Sequence, residues 1–88
     1  SMSPLITNGS RICLRTIPDG PDGIVYGEVY AIVTRNNMRI LKRVVRADDE
    51  EKIRLVPENK DPKYGDYQDI LKSEILHLFK VEAALVKL

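Results

Sequence analysis

Apolar and polar side chains alternate over residues 11–17, with Ile12, Leu14 and Thr16 on one side and Arg11, Cys13 and Arg15 on the other. Successive side chains of an extended chain point to opposite faces, so this alternation predicts a half-buried β-strand. Pro18-Asp19-Gly20-Pro21-Asp22-Gly23 then supplies dense turn chemistry. Residues 25–34 are rich in β-branched and aromatic side chains and predict a second strand. Arg35-Asn36-Asn37 is a tight polar connection, and Met38 to Val45 returns, so the pair reads as a β-hairpin. Ala47 to Glu51 reads as a solvated charged turn, and Lys52 to Val56 as a short strand. Pro57 to Asp69 contains Pro57, Pro62 and Gly65 and little apolar content, which predicts a loop. Beyond Ile70 the apolar residues are too dense to show one period. Ser73 to Leu78 fits a helical turn or the start of a strand. Leu76 to Val86 is read as strand because the rest of the chain is all-β.

Composition narrows the classes. The 88 residues make one small domain. With 43% hydrophobic and 31% charged residues the chain is not of the disordered class. Fourteen Lys and Arg against thirteen Asp and Glu leave a net charge of +1, which is no electrostatic footprint for nucleic acid. One cysteine, Cys13, excludes an internal disulfide and a Cys-rich zinc site, and one histidine, His77, excludes a His-cluster metal site. No apolar run nears the ~18 residues of a membrane span. A cytoplasmic protein without membrane contact and without cofactor is expected.

Three segments carry a pattern with chemical content. Ser1-Met2-x-Pro4-x-Ile6-x-x-Gly9 opens the chain, Arg39-Ile40-Leu41-Lys42-Arg43-Val44 lies on the returning strand, and Leu55-Val56-Pro57-Glu58-Asn59 follows. The opening segment resembles the nucleophile motif of the Ser-Lys peptidases related to LexA, phage repressors and UmuD. The strand segment is similar to that family's Val-Lys-Arg-Leu strand, whose lysine is the general base, and the segment after it resembles the family's Leu-x-Pro-Glu-Asn or Ser-Asp-Asn turn. Ser10 departs from the pattern, which has Asp after the glycine. The stretch from Phe79 to Val86 fits the family's closing strand, and residues 60–74 match least.

The resemblance implies a mainly β, small and strongly bent LexA C-terminal-like peptidase and dimerisation fold over residues 1–88. It implies Ser1 as nucleophile, Lys42 as general base, and the backbone N–H groups of Ser1 and Met2 as oxyanion donors. Elementary chemistry agrees with the first two roles. A serine hydroxyl is a weak nucleophile and needs an adjacent base. His77 has no sequence link to Ser1, which leaves lysine. Only a neutral lysine accepts a proton, and burial disfavours the charged form. Ile40 and Val44 share the strand face of Lys42, whereas Arg39, Leu41, Arg43 and Val45 form the other face.

The expected function is that of the carboxy-terminal domain of a phage- or SOS-type transcriptional repressor, which dimerises and cleaves itself. Self-cleavage in such proteins falls in a linker upstream of the serine, at an Ala-Gly or Cys-Gly bond, and this sequence contains neither pair. The chain therefore reads as a fragment, with operator DNA bound only through a missing amino-terminal domain. A homodimer through Phe79 to Leu88 is expected from an exposed strand edge. A RecA-type filament or an antirepressor is the expected regulator. A UmuD-like polymerase accessory protein shares the dyad and fold. A non-catalytic dimerisation domain is the reading if Ser1-Met2 is what tag removal leaves at a chain start, or if Lys42 is exposed. A type I signal peptidase is disfavoured, because Val45-Arg46-Ala47-Asp48 stands where its Gly-x-x-Gly-Asp turn belongs.

Overall fold

The computed structural model describes the backbone of residues 11–57 and 66–85 and the side chains of 12–57 and 66–82. Among the described residues six strands are formed: β1 (Arg11–Thr16), β2 (Val29–Thr34), β3 (Arg39–Arg46), β4 (Lys52–Val56), β5 (Gln68–Leu71) and β6 (Ile75–Leu85). They make one antiparallel sheet in the order β1-β6-β2-β3-β4-β5. Short 3-10 turns occupy Gly20–Gly23 and Lys72–Glu74. The fold is mainly β, and among the described residues no helix is long and apolar enough to cross a membrane.

The β2–β3 hairpin closes as its sequence suggests. The Asn37 N–H donates to the Thr34 carbonyl, and Asn37 takes a φ of 68°, a left-handed conformation that Asn tolerates better than most residues. The buried Thr34 hydroxyl donates to Asn36 Oδ1 and accepts the Met38 N–H at 3.0 Å, so the tight turn leaves it satisfied. The hairpin is centred on Asn36, and Tyr30 therefore stands opposite Lys42.

The second strand begins at Val29, four residues later than the run of β-formers predicts. Gly27 and Glu28 together oppose Val44: the Gly27 N–H donates to the Val44 carbonyl at 2.7 Å, and the Val44 N–H donates to the Glu28 carbonyl at 2.9 Å. Two residues against one is a bulge, and the φ of +100° at Gly27 is a conformation that glycine reaches without a Cβ clash. The bulge turns residues 24–26 across the sheet, where Ile24 and Tyr26 pack on the core.

Two further boundaries differ from the sequence reading. Gln68 and Asp69, expected in a loop, belong to β5, because they pair with Leu55 and Arg54 of β4. The 70s divide between the two readings: Lys72–Glu74 forms a single 3-10 turn and the strand starts at Ile75.

Ile17, Tyr30, Ile32, Val44, Ile53, Leu55, Ile75 and Leu78 form one buried cluster, with Ile70 packed against it. The sheet residues among them share one face, so a single sheet must bend around its own core. Each fully buried side chain of this size contributes about 1.5–3 kcal/mol. Segment 17–28 completes the cover, and Gly23 lets it approach: a Cβ there would stand 2.7 Å from Ile17 Cγ2.

Candidate active site

Lys42 lies at the middle of β3, half-buried, between Ile40 and the fully buried Val44 on the core face. The expected apolar row is thus present. Its cross-strand neighbour on β2 is Tyr30, which is wholly buried. The Tyr30 hydroxyl accepts the Val25 N–H at 2.8 Å, which ties the covering segment to the row. On its other side, Tyr30 pairs with Lys80 of β6, and Lys80 pairs with Arg15 of β1. One line across four strands therefore reads Arg15, Lys80, Tyr30, Lys42.

The two lysines of this line are in different electrostatic settings. Lys80 Nζ lies 3.9 Å from Glu28 Oε1 and 3.8 Å from Glu82 Oε2. Arg15 donates to Glu82 as well, and this hydrogen bond, with the charges of Lys80 and Arg15, holds the Glu82 carboxyl below its ordinary range. Lys42 forms no ion pair among the described residues. A lysine that must accept a proton is better served by the second setting, because a neighbouring carboxylate favours the ammonium.

Ser1 and Met2, the expected nucleophile and oxyanion donors, lie outside the described residues, as do Glu58 and Asn59. Leu55 and Val56 pair with Val44 and Arg43, which brings the start of the Leu55-to-Asn59 segment beside the lysine strand. Arg43 Nη1 donates to the Gly27 carbonyl and so braces the bulge next to Lys42. His77 pairs with Val33, on the face opposite Lys42, where it is exposed and stacks on Phe79 with ring centroids 6.4 Å apart. It cannot serve as base to a serine beside Lys42.

The closing strand is not an outer strand of the sheet. Phe79 pairs with Thr16 on one side and Ala31 on the other, and Lys80 with Arg15 and Tyr30. An exposed edge for pairing with a second copy is therefore lacking at these two positions. The ladder to β2 ends at Tyr30–Lys80, whereas the ladder to β1 continues to Leu85. Residues 81–85 thus keep one side without a partner among the described strands, and residues 86–88 lie outside the described residues.

Sequence reasoning missed the pairing of Tyr30 with Lys42 and the positions of Lys80, Glu28 and Glu82. Tyr30 was accessible in principle, since a hairpin centred on Asn36 pairs residues equidistant from it. The position of Lys80 depends on which distant strand joins β2, and no local signal carries that. Among the described residues no group of His, Cys, Asp and Glu could hold a metal ion.

No curated protein and no solved structure matches the chain. The family model described as Peptidase S24-like matches residues 1–76, a span that takes in the serine motif, the lysine strand and the Leu55-to-Asn59 segment. With that match over most of its length, and with a mainly β fold that sets Lys42 in an apolar row, the chain belongs to the Peptidase S24-like family.

Proposed function

We propose that this chain is the self-cleaving and dimerising domain of a phage- or SOS-type transcriptional repressor, spanning residues 1–88. The observation that carries the reading is Lys42: half-buried, between apolar neighbours and without an ion pair among the described residues, in a chain whose family match includes Ser1. In the intact polypeptide, Lys42 Nζ takes the proton of Ser1 Oγ as the oxygen attacks the carbonyl carbon of the scissile peptide bond. The backbone N–H groups of Ser1 and Met2 stabilise the oxyanion. Lys42 then passes the proton to the leaving amine, the C–N bond breaks, and an acyl-serine ester remains. Lys42 next takes a proton from water as the water oxygen attacks the ester, and returns that proton to Ser1 Oγ as the C–O bond breaks, which frees the new carboxyl group and restores Ser1 and Lys42. Operator binding would reside in a segment preceding Ser1, consistent with the net charge of +1 here. Release of the repressor would follow from cutting the connection between the two. Residues 81–85, with one side unpartnered among the described strands, are the dimer contact this reading favours.

The test is self-cleavage of the intact encoded polypeptide, followed by gel electrophoresis. Lys42→Ala and Ser1→Ala are each expected to slow it by at least about 10²-fold, the usual size of general-base loss. Cleavage of Lys42→Ala at the unaltered rate, or no cleavage of the parent protein, would overturn the reading.

A further inference from the structure

The charged groups around the Lys42 row do more than decorate the sheet. Glu28 stands on the same face as Lys42. It opposes Val44, two residues along β3 from Lys42, which makes it the diagonal cross-strand neighbour of the proposed base. Diagonal neighbours have Cβ atoms about 7–8 Å apart, well within the joint reach of a glutamate and a lysine. Glu28 nevertheless pairs with Lys80, at 3.9 Å, and not with Lys42. Lys80 also faces Glu82 at 3.8 Å, and Glu82 is held in turn by Arg15. Lys80 is largely covered, with 16% of its side chain exposed, whereas Glu28 is about half exposed.

We propose that Lys80 is a positioning residue for the peptidase site: it engages Glu28 and Glu82 and thereby keeps carboxylates off Lys42. The inference rests on the Ser1/Lys42 reading above and adds the device that keeps the base available. A carboxylate brought to Lys42 would hold it as an ammonium, and an ammonium cannot accept the serine proton. Around the row, β1 offers Arg15, β6 offers Lys80 and Glu82, and the bulge before β2 offers Glu28. From β2 comes the buried Tyr30, and β4 turns the apolar Leu55 to this face. Glu28 is therefore the carboxylate that a missing Lys80 would release next to Lys42.

The experiment is a set of variants in the intact encoded polypeptide, read as self-cleavage rate near neutral pH. Lys80→Met is expected to slow cleavage about three- to tenfold, since each tenfold corresponds to one unit of change in the base's proton affinity. Lys80→Arg keeps the cation and is expected to cleave at the parent rate. The double variant Lys80→Met/Glu28→Gln is expected to recover the parent rate, because the freed side chain is then uncharged. A purely structural role for Lys80 would leave the double variant as slow as the single one, and that result overturns the proposal, as does a Lys80→Met variant of unaltered rate. Lys42→Ala in the same series separates the two claims. If Lys42→Ala cleaves normally, the dyad reading fails and this proposal with it. If Lys42→Ala is inactive while Lys80→Met is unaffected, only the role of Lys80 fails.

Discussion

Arg54 and Asp69 join β4 to β5 through two parallel hydrogen bonds, Nε to Oδ1 at 2.9 Å and Nη2 to Oδ2 at 3.1 Å. The guanidinium also lies 3.9 Å from the Tyr67 ring centroid and within 3.5 Å of Asp48. A planar fork matched to a carboxylate fixes geometry as well as charge. The pair sits in register, Arg54 opposite Asp69, and so selects how the short outer strand docks.

This pair gives the fold an acid limb. The hydrogen bond from Arg54, with its charge, holds the Asp69 carboxyl below its ordinary range. A depressed folded-state value means the contribution is fully present above the unfolded value, about 3.9, and is lost as pH falls through the lower folded value. Thermal unfolding followed from pH 7 down to pH 2 should therefore show a fall in Tm below about pH 4. Asp69→Asn should lower Tm at pH 7 and flatten that fall. Parallel Tm curves for parent and variant would refute it.

The covering segment depends on one missing methyl group. Gly23→Ala places a Cβ 2.7 Å from Ile17 Cγ2, inside the core edge. Overpacking of this kind costs about 1–3 kcal/mol. Urea denaturation should show a lower midpoint with an unchanged slope, and an unchanged midpoint would mean that segment 17–28 gives way freely.

Ile53 is fully buried in the cluster and stands on β4 opposite Arg46, four residues along β3 from Lys42. Ile53→Ala should destabilise by about 2–5 kcal/mol through lost transfer energy and a residual cavity. Chemical denaturation reads the loss. A loss under about 1 kcal/mol would show that the bent sheet collapses into the space.

If Lys42 is the general base proposed here, it should carry a stability cost. Lys42→Met keeps the aliphatic stem in the apolar row and removes an amine that forms no ion pair among the described residues. Burial penalises the charged form of an amine, and a single stabilising substitution commonly returns about 0.5–2 kcal/mol. The variant should unfold at higher denaturant while losing self-cleavage. A variant that is both inactive and less stable would assign Lys42 a structural part.

Much of the sheet could be read locally. The strands Arg11–Thr16 and Lys52–Val56 and the hairpin about Asn36 all appear where period and turn chemistry put them, but β1 is not half-buried as its alternation predicts: residues 13–16 are exposed, Leu14 among them, because β1 is an outer strand of the sheet. Lys42 could be placed in an apolar row for the same reason, since its neighbours two residues away share its face whatever the strand's partners. The start of β2 could not, because the β-formers at 25 and 26 lie before a bulge that only the opposing Val44 reveals. Gln68 and Asp69 have the character of loop residues, and pairing with β4 makes them strand.

The sequence by itself determined the strand content, the hairpin and the serine and lysine motifs that mark the family, because these depend on neighbours a few residues apart. Only the tertiary structure decided that β6 enters between β1 and β2, and so which charges stand in line with Lys42. That choice is made by ladder pairing and core burial between residues far apart in the chain, such as Ile32 with Leu78 and Tyr30 with Lys80. A period of two states which side chains share a face, but not which strand will lie beside them.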